Sequence, residues 1–228
     1  MTLLFMVKGV PSTENVPRAR YGAAGWYDNT NKEYWMFGGS DLTDVKGASF
    51  IHIFSLYIPL ILGQDLLNDL WRYRVNDSTW TWITGSNNSF DLAPIYGQRG
   101  VSSANNDPGS RYKAVAWFDS VRQEFWLFGG AGYAANHVFG YFNDVWKYEV
   151  NSNTWTWISG SNLISQPGAY GTKGSASSSN TPGSRNEACG WYDSLRQEFW
   201  LFGGYGHDRN NNSGKIASSS LVNTTNIT

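Results

Sequence analysis

The chain has 228 residues, of which 12 are Trp, 13 Tyr and 12 Phe, so aromatic residues (16%) outnumber charged residues (15%). A formal net charge of −1 gives no electrostatic basis for nucleic-acid binding. The single cysteine, Cys189, excludes an internal disulfide and a cysteine-based zinc site. The 25 Gly and 7 Pro argue against a mainly helical protein, because both residues interrupt helices. Composition therefore predicts an aromatic-rich, turn-rich, all-β chain.

Two blocks of sequence recur along the chain. The first block, RYKAVAWFDSVRQEFWLFGG at residues 111–130, matches residues 185–204 at 14 of 20 positions, and residues 20–39 are a weaker third copy. The second block, NDLWRYRVNDSTWTWITGSN at residues 68–87, recurs at residues 143–162. All 12 Trp fall into columns of these two blocks. Because an active-site cluster would not repeat in this way, we predict that the Trp side chains are structural packing residues.

Each repeat contains four short strand candidates, which in the middle copy are residues 114–118, 125–128, 145–148 and 155–158. Their aromatic and β-branched content, bounded by Gly, Asn, Asp and Ser, is typical of strands. We expect Asp119 to open the turn between the first two strands, because its carboxylate can accept hydrogen bonds from backbone N–H groups ahead of it. The second strand has no polar face, which predicts that both of its sides are covered.

These features together resemble the kelch repeat. They are a Gly-Gly doublet that closes the second strand (129–130 in the middle copy), a Tyr seven residues before a Trp (Tyr73 and Trp80, Tyr148 and Trp155), and a Pro-x-x-Arg that opens each unit. Units of about 74 residues are similar to the Trp-rich, long-loop kelch repeats of galactose-oxidase-like propeller proteins. The resemblance covers nearly all of the chain apart from its loops, and it implies four-stranded antiparallel blades that stack around a central axis.

The repeats divide the chain into seven segments. We expect two complete blades and half of a third; because closed propellers contain about four to eight blades, this predicts an incomplete ring. A fragment is the preferred explanation, and a subunit that completes a ring with others is the alternative. The segments are the tail of a preceding inter-blade loop (1–19), kelch repeat 1 (20–84), an inter-blade loop (85–107), kelch repeat 2 (108–160), a second inter-blade loop (161–181), the first half of kelch repeat 3 (182–208) and a polar, disordered tail (209–228).

Repeat 1 carries a hydrophobic insertion at about 46–63, whose apolar run is residues 48–63. The run is shorter than the roughly 20 residues that a membrane span needs, and it lies between two strands of one blade rather than at the N-terminus. We therefore expect no membrane span and no signal peptide, and the compartment stays open. Our preferred hypothesis is that the run is foreign to the fold, for example translated non-coding sequence retained in a gene model. A re-entrant or partner-binding loop is the alternative.

The sequence contains no complete catalytic set. Its three His residues, His52, His137 and His207, lie on different loops without metal-ligand spacing. A galactose-oxidase-like copper site would need Cys189 cross-linked to a Tyr, but Cys189 aligns with small apolar residues in the other copies, which predicts a small buried core residue. The repeated carboxylates are best interpreted as turn and strand-end residues, because they recur in register. We predict no catalytic, cofactor-binding or metal-binding residues.

Two sets of residues are candidates for ligand binding. Arg20, Arg111 and Arg185 occupy the Pro-x-x-Arg position, which the kelch resemblance places on the rim of a central channel. Guanidinium groups there can bind carboxylates bidentately, so an acidic peptide is a candidate ligand; the alternative is an Arg that ties the start of the blade to backbone carbonyls. Tyr96 and Tyr170 lie on the long inter-blade loops, where exposed Tyr suits a protein or sugar surface. A flexible linker is the alternative for these loops.

We therefore expect a non-catalytic kelch propeller segment that acts as a protein-interaction scaffold. Protein is the preferred partner and carbohydrate the second, with self-association through exposed terminal blades as a further expectation. The alternative is part of a galactose-oxidase-like or carbohydrate-active enzyme, or of a lectin, whose active residues lie outside this chain. The ligand and the blade number of the complete protein stay open.

Overall fold

The computed structural model describes residues 6–41, 65–216 and 219–222, so the hydrophobic insertion predicted at about 46–63 lies outside the described residues. The described residues form β-strands and no helix, which confirms the all-β class, and they hold nothing long and apolar enough to cross a membrane as a helix. The strands are β1 (Arg20–Tyr21), β2 (Ala24–Asp28), β3 (Glu33–Asp41), β4 (Asp65–Arg74), β5 (Thr79–Thr84), β6 (Arg111–Tyr112), β7 (Val115–Asp119), β8 (Glu124–Phe128), β9 (Ala131–Tyr133), β10 (Phe139–Tyr141), β11 (Val145–Glu149), β12 (Thr154–Ser159), β13 (Arg185–Asn186), β14 (Cys189–Asp193), β15 (Glu198–Phe202), β16 (Tyr205–His207), β17 (Ser213–Lys215) and β18 (Ser219–Val222).

Three antiparallel sheets carry the repeated blocks. Sheet 1 has the order β2-β3-β4-β5, with β1 pairing along the end of β3; sheet 2 has the order β7-β8-β11-β12, and sheet 3 the order β14-β15-β18. Two smaller sheets, β6-β9-β10 and β13-β16-β17, follow the same order as each other. The copies also share their register, because the Trp of the first strand lies opposite the Trp of the second in all three sheets. These pairs are Trp26 and Trp35, Trp117 and Trp126, and Trp191 and Trp200.

Strands β17 and β18 lie in the segment 209–228, which the sequence predicts to be a disordered tail. The structure differs there: β18 pairs with β15 in the register that β11 has on β8. Phe202 lies opposite Ser219, as Phe128 lies opposite Val145. The polar sequence gives no signal of this strand, because an open strand edge offers backbone hydrogen bonds to any extended segment whatever its side chains.

An Asp opens each tight turn between the first and second strands of the three sheets. Asp119 Oδ1 accepts hydrogen bonds from the backbone N–H groups of Val121 at 2.9 Å and Arg122 at 3.1 Å. Asp28 and Asp193 make the same pair of contacts in sheets 1 and 3. The turn role predicted for Asp119 is therefore confirmed.

Each sheet has two faces, named here the A face and the B face, and the A face of one sheet packs on the B face of the next. The A face carries the paired Trp side chains. In sheet 1 the A face consists of Ala24, Trp26, Trp35 and Phe37, which are buried in one cluster with Phe125, Leu127 and Tyr148 of the B face of sheet 2. In sheet 2 the A face consists of Val115, Trp117, Trp126 and Phe128, which are buried with Phe199 and Leu201 of the B face of sheet 3.

Indole hydrogen bonds connect neighbouring sheets at equivalent places. Trp26 Nε1 donates to the backbone carbonyl of Trp126 at 3.1 Å, and Trp117 Nε1 donates to that of Trp200 at 3.2 Å. With such an acceptor the indole N–H avoids the cost of a desolvated donor. The repeated contact fixes the same sheet-to-sheet register twice and supports the packing role predicted for the Trp columns.

The A face of sheet 3 is not covered by any described sheet. Trp191 and Phe202 are each 49% exposed, whereas Phe128, the equivalent of Phe202 in sheet 2, is 0% exposed. Cys189 is exposed as well, so the prediction that it is a small buried core residue is wrong. Its neighbours in sequence match the other copies, but burial at this position comes from the next sheet rather than from the strand itself.

Candidate functional site

The three arginines of the Pro-x-x-Arg position have buried side chains, and each ties the start of its repeat to a backbone carbonyl. In every copy Nη1 donates to the carbonyl oxygen of the first Gly of the Gly-Gly doublet. The acceptors for Arg20, Arg111 and Arg185 are Gly38 at 3.0 Å, Gly129 at 2.8 Å and Gly203 at 2.9 Å. These hydrogen bonds match the alternative role considered from the sequence, in which the arginine ties the start of its repeat to backbone carbonyls.

In repeat 2 the arginine also holds a buried carboxylate. Arg111 donates from Nη1 to Asp144 Oδ1 at 2.7 Å and from Nη2 to Oδ2 at 2.9 Å, which is a bidentate pair. The Tyr96 hydroxyl and the Trp146 indole N–H also donate to Oδ2, at 2.9 and 2.8 Å. The Tyr96 ring stacks on Trp146 with centroids 5.2 Å apart. Four donors therefore converge on one carboxylate.

Burial and charge act in opposite directions on this network. Burial lowers the pKa of Arg111, but the carboxylate of Asp144 outweighs it and leaves the pKa above its ordinary value. Burial raises the pKa of Tyr96 strongly, and the charge of Asp144 raises it further. The guanidinium thus stays charged and the phenol stays protonated, as donors to a carboxylate must be.

Repeat 1 builds the same pair from equivalent residues. Arg20 Nη1 and Nη2 donate to the two carboxylate oxygens of Asp69, the second at 2.9 Å, and Trp71 Nε1 donates to Asp69 Oδ2 at 2.6 Å. The sequence interpretation of Asp69 and Asp144 as turn and strand-end residues missed this role. The signal that marks it is the joint recurrence of Pro-x-x-Arg and Asn-Asp-x-Trp in both complete repeats.

In repeat 3 the arginine has no carboxylate partner among the described residues. Arg185 is 1% exposed, and its Nε and Nη2 donate to the Gly183 carbonyl and to the Tyr170 hydroxyl, both at 3.0 Å. Burial lowers the pKa of Arg185, and the contact with Tyr170 offsets this only in part. The structure thus brings together two of the predicted ligand-binding residues, Arg185 and Tyr170, as it brings together Arg111 and Tyr96.

Neither predicted ligand-binding tyrosine is an exposed loop side chain. Tyr96 and Tyr170 are both half-buried, and their hydroxyls contact Asp144 and Arg185, respectively. In the first of these loops Asn106 Nδ2 donates to the backbone carbonyls of Val101 and Trp155, both at 2.9 Å, which fixes the loop against sheet 2. The first loop therefore packs on sheet 2, whereas the equivalent Asn180 of the second loop donates to Ser175 within its own loop.

Within the described part of the chain, no three His, Cys, Asp or Glu residues come together in a group that could hold a metal ion. His137 is exposed, and His207 lies beside the ring of Tyr141 with centroids 6.0 Å apart. The third histidine, His52, lies outside the described residues.

No protein-family model matches the chain, and no curated protein does. Among solved structures, one titled "Structure of YjhT" is similar to 87% of this chain at 12% sequence identity, with a TM-score of 0.45. The match takes in 36% of that structure's chain, so the present chain spans well under two thirds of its length.

Proposed function

We propose that the chain is a kelch-type propeller segment that acts as a non-catalytic protein-interaction scaffold, with the A face of sheet 3 as a binding surface. One observation carries the proposal: this face is aromatic and exposed. Trp191 and Trp200 stack in parallel, with centroids 5.6 Å apart and 5° between their planes, and Phe202 lies beside them half exposed. Contiguous exposed apolar surface of this kind marks interaction sites in soluble proteins.

The kelch-type interpretation is supported by the way the sheets depend on each other. Sheet 2 is aromatic on both faces, and both faces are buried only because sheets 1 and 3 pack on them. Units that bury their apolar faces against like neighbours are the mark of repeat architectures. The Gly-Gly doublet adds support, since Gly129 and Gly130 have φ values of 63° and 93°, which favour glycine.

The partner that fits this surface is a second copy of the chain. Inside the molecule an A face meets a B face twice, at sheets 1 and 2 and at sheets 2 and 3. The B face of sheet 1 exposes Tyr27 (39%) and Tyr34 (51%), whose rings lie 4.5 Å apart. One copy therefore carries both halves of the contact, a free A face and a free B face, and a head-to-tail contact joins them.

Two complementary variants test this contact. Trp191→Ser/Phe202→Ser blocks the A face, and Tyr27→Ser/Tyr34→Ser blocks the B face. We expect the wild-type chain to associate in a concentration-dependent way and each variant alone to be monomeric. An equimolar mixture of the variants forms dimers only, because one intact A face meets one intact B face. Sedimentation velocity distinguishes these states.

Leu195→Ser is the matched control, because Leu195 is 92% exposed but lies in a turn rather than on the A face. This variant should associate as the wild type does. A wild-type chain that stays monomeric over the whole concentration range, or a mixture that forms no dimer, would refute the proposal. Dissociation by Leu195→Ser would show that the association is unspecific.

A further inference from the structure

Arg185 has unused hydrogen-bonding capacity in a buried position. A guanidinium carries five N–H groups. Arg185 uses three of them within the described residues: Nε to the Gly183 carbonyl, Nη1 to the Gly203 carbonyl and Nη2 to the Tyr170 hydroxyl. One N–H on Nη1 and one on Nη2 remain, on a side chain that is almost completely buried. Buried donors of a charged group are ordinarily satisfied, so these two point to a missing acceptor.

Repeat 2 shows which acceptor fits. In Arg111 one N–H on Nη1 and one on Nη2 hold the two oxygens of Asp144, and the remaining three go to the backbone carbonyls of Pro108 and Gly129. The Tyr96 hydroxyl is the third donor to that carboxylate. Tyr170 precedes Arg185 by 15 residues, and its hydroxyl proton is available because the oxygen accepts from Arg185. Among the described residues, repeat 3 therefore has the arginine and tyrosine donors of repeat 2 but no carboxylate for them.

We propose that Arg185 and Tyr170 form a carboxylate-binding site that recognises an Asp-x-Trp segment of a protein partner. Both complete repeats supply their carboxylate from Asn-Asp-x-Trp, and in each the Trp indole donates to the same carboxylate. In sheet 3 the equivalent strand is β18, whose Ser219 corresponds to Val145 of β11. The residue before Val145 is Asp144, whereas the residue before Ser219 in the sequence is a Ser, which carries no carboxylate. A partner strand that takes the place of β18 brings a carboxylate to Arg185, which has none among the described residues.

This site is separate from the A face, so the two proposals fail separately. The probe is a fluorescein-labelled synthetic peptide with the sequence of residues 141–149 (YFNDVWKYE), called the Asp peptide. The control is the same peptide with Asn in place of Asp, called the Asn peptide. We expect saturable binding to the full chain by fluorescence polarisation and binding at least about tenfold weaker for the Asn peptide, because a charge-assisted bidentate pair is lost. The A-face variant Trp191→Ser, whose substituted residue lies on β14 at the side of β15 away from β18, should bind the Asp peptide as the wild type does.

Two variants of the chain locate the binding. Tyr170→Phe removes one hydroxyl and should weaken binding of the Asp peptide about threefold or more. Tyr96→Phe is the equivalent change in repeat 2, where Asp144 already occupies the network, and it should leave peptide binding unchanged. Arg185→Lys keeps the charge but not the fork of donors, and should weaken the Asp peptide further. Circular dichroism shows whether each variant is folded. If Arg185→Lys does not fold, Tyr170→Phe still tests the proposal.

Three results would overturn the proposal. They are equal binding of the Asp and Asn peptides, no binding of either, and unchanged binding in folded Tyr170→Phe. Competition with sodium acetate tests whether the site binds any small free carboxylate. Acetate that displaces the peptide at concentrations near the peptide's own Kd would overturn the Asp-x-Trp part, because the strand and the Trp would then contribute nothing.

Discussion

Arg111 illustrates how a charged side chain is kept inside an aromatic-rich structure. Its five N–H groups all have acceptors, two of them on the carboxylate of Asp144, and its guanidinium lies over the ring of Phe142 at 4.3 Å from the centroid. A buried ion pair of this kind is stable only with excellent geometry and full hydrogen bonding. The arrangement therefore fixes the start of the repeat, its Gly-Gly doublet and its third strand relative to one another.

Removing the carboxylate of Asp144 should destabilise the protein strongly. Asp144→Asn keeps the shape of the side chain but removes the carboxylate that pairs with the buried Arg111, so we expect the free energy of unfolding to fall by about 3–5 kcal/mol. Urea denaturation followed by fluorescence measures this. The control is Asp77→Asn, which breaks an exposed pair with Arg74 and should leave the midpoint nearly unchanged. Equal losses of unfolding free energy in the two variants would show that the buried pair of Arg111 and Asp144 contributes no more than an exposed one.

Asp119 should make stability depend on pH. Burial raises its pKa, but hydrogen bonds from Arg122, Tyr192 and two backbone N–H groups outweigh burial and leave the pKa below its ordinary value of about 3.9. A carboxyl with a lowered pKa binds its proton more weakly in the folded chain than in the unfolded one. It therefore contributes stability above its ordinary pKa, and that contribution is lost as the pH falls through the folded pKa.

The test of this pH dependence compares wild type with Asp119→Asn across a pH series of urea unfolding curves. We expect the wild type to be the more stable protein at about pH 6 and the difference in unfolding free energy to shrink below about pH 4. A difference that stays constant down to about pH 2.5 would rule out the carboxylate as its source.

At the scale of elements, the strands of repeat 2 were predictable almost to the residue. The observed strands β7, β8, β11 and β12 differ from the expected ones by one residue at some ends, because alternating aromatic residues between Asp, Asn and Gly turns define strand limits locally. The strands β17 and β18 were not predictable, since their pairing depends on an edge that β16 and β15 supply from earlier in the chain. Local pattern carries no information about such an edge.

The end of the second strand gives a prediction about Gly129. Its φ is 63°, and a Cβ built there would lie 2.6 Å from the backbone carbonyl oxygen of Arg185, in the next repeat. We expect Gly129→Ala to lower the free energy of unfolding by about 1–3 kcal/mol more than Gly174→Ala does. Gly174 is the matched control, because its φ is 81° but nothing lies within 4 Å of a Cβ there, so only backbone strain acts. Equal losses in thermal unfolding would show that the carbonyl contact does not matter.

At the scale of the whole molecule, the sequence identified the arginines but not their partners. Asp144 lies 33 residues beyond Arg111, and Tyr96 lies 48 residues before Asp144, so the network forms only when a loop, a strand start and a third strand meet in space. Periodicity describes one strand at a time and does not indicate which loop folds over which sheet. The burial of the Trp columns could be predicted, and exposed terminal blades were expected too, but that Trp191 and Phe202 are the exposed residues follows only from the structure.

Position in the stack of sheets should decide what the same substitution does. Phe128 and Phe202 end the same Glu-Phe-Trp-Leu-Phe strand, one covered by sheet 3 and the other uncovered. In dilute solution we expect Phe128→Ala to lower the free energy of unfolding by about 3–5 kcal/mol, because it opens a cavity between two sheets, and Phe202→Ala by under about 1 kcal/mol. If a second copy covers the A face, the loss from Phe202→Ala grows with protein concentration, since association stabilises only the folded chain. Denaturation curves at several concentrations measure both effects, and equal losses for the two variants in the dilute monomer would mean that the A face of sheet 3 is already covered.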